Sequence, residues 1–65
     1  MKVAVIGVGY WGKKHVDEYI QLGYDVIICD NHEKNIVECK EKFKTVEVKN
    51  FEAILNDNEI TCVSI

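Results

Sequence analysis

Short, unbroken apolar runs alternate along this chain with longer stretches in which apolar residues recur every three or four positions. Val3-Ala4-Val5-Ile6 is apolar throughout, as expected of a parallel strand covered on both faces. From about Tyr10 to Leu22, Val16, Tyr19, Ile20 and then Gly23 follow helical spacing, which predicts a first helix stopped by Gly23. Asp25-Val26-Ile27-Ile28-Cys29-Asp30 predicts a second strand. A second helix is predicted from about Glu33 to Phe43, begun by Asn31 or His32, with Ile36, Cys39, Lys40 and Phe43 on one stripe. Thr45-Val46-Glu47-Val48 alternates polar and apolar, the pattern of a short edge strand. Asn50 is a favourable N-cap for a third, short helix that carries Phe51, Ile54 and Leu55 inward. Asp57-Asn58 breaks that helix, and Ile60 to Ile65 predicts a fourth strand.

The resulting order is β-α-β-α-β-α-β. Right-handed crossovers between parallel strands then give the spatial order 3-2-1-4, an α/β, Rossmann-like doubly wound sheet of which this is the first half. In a complete sheet of that kind the fourth strand is interior, so Cys62-Val63-Ser64-Ile65 is expected to form an apolar edge that invites self-association. The expectation is that residues 1–65 are the N-terminal portion of a dinucleotide-binding domain whose catalytic partner domain lies outside this sequence.

Between the first strand and first helix stands Gly7-Val8-Gly9-Tyr10-Trp11-Gly12, and an acidic residue, Asp30, follows at the end of the second strand. Gly-x-Gly-x-x-Gly alone is a weak signal, but strand, glycine turn, helix, strand and carboxylate together form a dinucleotide-binding fingerprint. Gly7 allows the tight turn, Gly9 lets the backbone approach a pyrophosphate, and Gly12 lets the helix pack close to the strand. Backbone amides of Tyr10 and Trp11 would face the phosphates with the helix dipole behind them. Asp30 lies 21 positions after Gly9, where a carboxylate can accept hydrogen bonds from both adenosine ribose hydroxyls and repels a 2′-phosphate. The chain contains no arginine to receive such a phosphate, so NAD is favoured over NADP. Asn31 and His32 border the adenine by position.

Plainer readings stand beside these. The glycines could form an ordinary turn, and Asp30 could cap the second helix with Glu33 completing a capping box. Lys13 and Lys14 read as a solvated face, His15 as a side chain on the helix packing surface away from the strand ends, and His32 as an exposed loop residue. No catalytic triad, carboxylate pair or metal-ligand cluster can be assembled from the residues present.

Composition narrows the partners. A net charge of −3 with Lys and Glu interleaved provides no basic stripe for nucleic acid. No apolar run approaches the roughly 20 residues needed to span a bilayer. Cys29, Cys39 and Cys62 are odd in number and lack Cys-x-x-Cys spacing, so they read as small buried hydrophobes with reduced thiols, which points to a cytoplasmic setting. A chain of 65 residues is also expected to be only marginally stable.

The run Val3-Ala4-Val5-Ile6-Gly7-Val8-Gly9-Tyr10-Trp11-Gly12-Lys13-Lys14-His15-Val16 resembles the start of the Gfo/Idh/MocA (glucose-fructose oxidoreductase and inositol dehydrogenase) family. Gly-Tyr-Trp-Gly followed by a basic pair and His-Val is the specific part, and Phe51 to Ile65 is similar to the family's third helix and fourth strand. The resemblance implies a cytoplasmic, usually oligomeric NAD(P)-dependent oxidoreductase that transfers a hydride between a hydroxyl-bearing carbon of a sugar, cyclitol or related polyol and the nicotinamide. It carries over Gly7, Gly9, Gly12 and Asp30 as cofactor contacts, with backbone groups of Tyr10 and Trp11 beside them. The family's Pro-containing loop, its Glu-Lys-Pro motif and its catalytic histidine all fall beyond Ile65. Two other readings use the same half-fold: a nucleotide-sensing regulatory module, and a non-functional truncated remnant.

Overall fold

A computed structural model describes all 65 residues, Met1–Ile65. The elements run β1 (Lys2–Ile6), α1 (Tyr10–Gln21), β2 (Asp25–Cys29), α2 (Glu33–Lys42), β3 (Glu47–Val48), α3 (Phe51–Leu55) and β4 (Ile60–Ser64). The four strands form one parallel sheet in the order β3-β2-β1-β4, the α/β Rossmann-like arrangement that the alternation of runs predicts.

The two faces of the sheet are filled unequally. Val5, Val8, Val16, Val26, Ile28, Cys39 and Val46 form one buried cluster, supported by Tyr19, Ile20, Ile36 and Phe43 from α1, α2 and the segment after it. The opposite face holds only Ala4, Ile27 and Ile54, with Ile6, Cys29 and Ile60 against them. Strict alternation along β1 and β2 produces this split, since Val5 and Ile28 face one side while Ala4 and Ile27 face the other.

Helix ends follow local chemistry. Gly23, at φ +87°, closes α1: its amide donates to Ile20 and the Tyr24 amide donates to Tyr19. That pair of bonds is a Schellman motif, and the stacked Tyr19 and Tyr24 rings, 6.0 Å apart, supply its apolar contact. Asn50 caps α3 as expected, accepting from the Ala53 amide at 2.7 Å.

Several expectations need correction. The third strand shrinks to Glu47–Val48, because the Val46 amide donates back to the Phe43 carbonyl and its own carbonyl accepts from the Lys40 ammonium of α2, so neither joins the ladder. Lys40 therefore works as a polar tie rather than an apolar stripe position. Only Ile54 of α3 is buried; Phe51 and Leu55 are exposed, Leu55 by 67%, because a five-residue helix turns a single side chain onto the sheet. Cys39 is buried and Cys29 half-buried, whereas Cys62 is exposed on the edge strand. Ahead of β4, Asp57 gathers Lys49 at 2.9 Å, Lys2 at 3.4 Å and the Glu59 amide at 2.9 Å. The Lys49 ammonium, then the Glu59 amide and Lys2, hold its carboxyl down at about 2 against a smaller opposing effect of burial.

Candidate functional site

The carboxyl ends of β1 and β2 bring the glycine turn and Asp30 together. Gly7 leaves β1 with φ +90°, a conformation that side chains rarely adopt, and its amide still donates to the Cys29 carbonyl at 2.7 Å. Val8 then drops fully into the core, which pins the turn from below. Gly12 faces the Gly7 carbonyl so closely that a Cβ there would lie 2.8 Å from the carbonyl carbon and nearer still to the oxygen. A Cβ at Gly9, by contrast, would meet nothing within 4 Å. The two glycines thus do different things: Gly12 permits backbone packing, and Gly9 keeps open the space above the turn.

Gly9 is also the N-cap of α1, and no side chain caps the helix there. Its first turn carries no acidic residue. The opening amides of α1 are consequently left unsatisfied by the protein, and the positive end of the helix dipole is not neutralised. Such a cradle, with open space at Gly9 and free amides behind it, suits a pyrophosphate.

Asp30 sits just past β2 with its carboxylate turned toward this turn. Oδ2 accepts from the Val8 amide at 2.8 Å and from Asn35 Nδ2 at 3.2 Å; Oδ1 accepts from the His32 amide at 2.7 Å. His32 Nδ1 lies 3.4 Å from Oδ1. Burial pushes the Asp30 carboxyl up, but the His32 and Val8 amides, Asn35 and the His32 ring together outweigh it and leave the group below the ordinary carboxylate range. The alternative role as a helix cap fails on geometry: α2 starts at Glu33 with His32 as its N-cap and no side-chain cap, so no capping box forms. The Asp30–His32 bond is an Asx-turn that leads the chain into the helix.

Around this core lie two connected concavities. One, of about 490 Å³, is lined by Ile6, Gly7, Cys29, Asp30, Asn31, His32, Phe51 and Ile65. The other, of about 360 Å³, runs along Gly7, Gly9, Tyr10, Trp11, Gly12, His15 and Ser64 between β1 and β4. Both open at the carboxyl ends of the strands, where strand order reverses about β1, the position at which open α/β sheets receive ligands. The Tyr10 and Trp11 side chains are about 70% exposed, pack edge to face at 5.3 Å and lie under the Lys14 ammonium.

Two surface assignments change. Lys13 is not a free solvated charge: its ammonium reaches Glu38 of α2 at 3.2 Å and its side chain is mostly covered. His15 is exposed and lines the groove at the strand ends instead of packing under the helix. Val16 takes the core-facing position of α1, so the residue before it is rotated by about 100° toward β4. Asn35 was not singled out by sequence; a polar residue in the first turn of a helix, five positions past the acid, was the available signal. Among His, Cys, Asp and Glu side chains no group of three is placed to hold a metal ion.

Residues 1–65 match the model of the Gfo/Idh/MocA group, described as an oxidoreductase family with an NAD-binding Rossmann fold. The chain belongs to this family. Neither the curated proteins nor the solved structures contain a match to it. As a Gfo/Idh/MocA domain its cofactor is NAD, which agrees with the open space at Gly9, the uncapped helix and an ionised Asp30. No helix is long and apolar enough to cross a membrane.

Proposed function

We propose that residues 1–65 hold the adenosine-diphosphate half of NAD for an oxidoreductase that acts on sugars, cyclitols or related hydroxyl-bearing substrates, and that these residues alone bind the cofactor without turnover. The observation that carries this reading is the hydrogen bond from the Val8 amide to Asp30, which fixes the acid against the open, uncapped glycine turn. In this reading Gly7, Gly9 and Gly12 shape the turn, the Tyr10 and Trp11 amides hold the pyrophosphate, and Asp30 and Asn31 hold the adenosine end. When bound, NAD supplies the hydride acceptor. Asp30, kept ionised by its donors, excludes a 2′-phosphate by charge, which supports NAD over NADP.

The sugar or polyol substrate rests on the family alone, and no catalytic residue is assigned among these positions. Self-association is proposed through β4, whose outer side leaves Val63 exposed at the sheet edge. Three free cysteines support a reducing, cytoplasmic setting.

Titration with NAD, ADP-ribose and NADP, followed by amide NMR, tests the proposal. NAD and ADP-ribose are expected to shift Gly7, Gly9, Gly12 and Asp30, and NADP to do so only at much higher concentration. Unmoved resonances at the glycine turn would overturn it.

A further inference from the structure

We infer that Phe51 is the base platform of the cofactor site: its ring, exposed at the start of α3, stacks on the adenine while the glycine turn and Asp30 hold the pyrophosphate and ribose. The inference rests on the NAD reading above.

Phe51 is the one aromatic ring in this chain without an aromatic or core partner. Tyr10 pairs with Trp11 and Tyr19 with Tyr24, and Phe43 packs against the larger core cluster. Phe51 belongs to neither pair and to neither cluster, and it is 49% exposed. Local geometry explains why it stands free. Asn50 caps α3 by accepting from the Ala53 amide, which makes Phe51 the first residue of the helix. Ile54, three positions on, takes the sheet-facing place against Ala4 and Ile27. Since α3 runs back from the carboxyl end of β3, Phe51 lies one turn nearer that rim of the sheet. Helical side chains lean toward the N-terminus, which carries the ring farther the same way.

Along the rim, the parts of the ligand find their places in order. The glycine turn follows β1, Asp30 follows β2 and Phe51 opens the helix after β3, and these three strands are neighbours in the order β3-β2-β1. Pyrophosphate, ribose and base are likewise consecutive, so a ligand anchored at the first two places delivers its base to the third. Two concavities join Asp30 to Phe51. One, of about 490 Å³, also takes in Gly7, Ile6 and Cys29; the other, of about 290 Å³, takes in Asn31 and Val48. The larger lies within the roughly 300–1,000 Å³ usual for ligand sites. Its apolar side chains beside polar Asp30 suit a flat heteroaromatic base joined to a ribose, and an unpartnered ring offers that base a face on which to stack.

NMR titration of the full chain with ADP-ribose tests this. In wild type, nuclear Overhauser contacts are expected between the Phe51 ring protons and the adenine H2 or H8. Phe51→Ala is expected to weaken ADP-ribose roughly 5- to 150-fold, the worth of one stacked base, and Phe51→Trp to restore the affinity. Inorganic pyrophosphate, which has no base, should bind wild type and Phe51→Ala alike. ADP-ribose that shifts the Gly7, Gly9 and Asp30 amides but makes no Overhauser contact with Phe51, or that binds Phe51→Ala as tightly as wild type, would overturn the inference and leave the NAD reading standing. Equal weakening of pyrophosphate and ADP-ribose would also overturn it, reducing Phe51 to a support for the fold. No shift at the glycine turn of wild type would overturn the NAD reading and this inference with it. If circular dichroism shows Phe51→Ala unfolded, Phe51→Leu takes its place: it keeps an apolar side chain without a ring face, and the same ligand pattern is expected.

Discussion

Replacing Gly12 by alanine asks whether close approach of α1 to the glycine turn holds this fold together. The added methyl would sit 2.8 Å from the Gly7 carbonyl carbon and closer to its oxygen. Both are backbone atoms, so no rotamer can relieve the contact. Gly7 is itself held by its bond to Cys29 and its positive φ, and Val8 is locked in the core. Overpacking costs about 1–3 kcal/mol, and a contact against fixed backbone belongs at the upper end of that range. Alanine's better helix propensity returns about 1 kcal/mol. The expected net loss is therefore about 2 kcal/mol, up to roughly 30-fold in the unfolding equilibrium. For a domain of this size, whose core supplies no more than about 3–5 kcal/mol, that removes a large share of total stability. Urea unfolding of wild type and Gly12→Ala without cofactor, followed by circular dichroism, should show the midpoint falling by about half. A variant as stable as wild type would refute the packing argument.

Gly9→Val should behave differently: its side chain enters open space, so the stability cost is only that of a poorer N-cap, about 1 kcal/mol in urea unfolding, while NAD affinity measured by calorimetry falls at least tenfold. Asp57→Asn tests the charge cluster ahead of β4. The folded-state value of Asp57 is depressed to about 2, so its stabilisation is complete above the unfolded value of about 3.9 and is lost as pH falls from there toward 2. The variant is expected to be less stable at neutral pH and to lose part of the acid-induced slope between pH 4 and 2 in thermal melts; an unchanged slope would contradict the Lys49–Asp57 geometry.

What the sequence disclosed and what it hid divide along physical lines. Unbroken apolar runs and helical spacing fix which segments become β1, α1, β2 and α2, since those signals are local, and right-handed crossovers then leave one order for the strands. The glycine turn was legible for the same reason: Gly7 and Gly12 occupy positions that a strand–turn–helix must give to glycine. Phe51 and Leu55 were misjudged because helical spacing says which residues share a face but not how much sheet a single-turn helix can cover. Lys13 reads from sequence as a solvated face and Asn35 carries no local signal, because their partners, Glu38 and Asp30, become neighbours only when α1, α2 and the end of β2 pack together. His15 turned on rotation about α1, which depends on Val16 having taken the core.

The sheet is stitched unevenly along the chain. β1 meets β2 through pairs such as Val3 with Val26, whereas its seam with β4 joins Val3 to Cys62 and is interrupted by a bulge at Lys2–Val3. The β4 seam encloses a loop more than twice as long, and each doubling of loop length costs about 0.6 kcal/mol in closure entropy. Of the two seams that β1 makes, the one with β4 is therefore expected to open more readily. Amide hydrogens along it should exchange with solvent faster than those between β1 and β2. The groove bordered by Trp11, His15 and Ser64 spans this seam, so whatever occupies it ties together the two strands joined across the longest stretch of chain, and its binding is coupled to the closure of that seam.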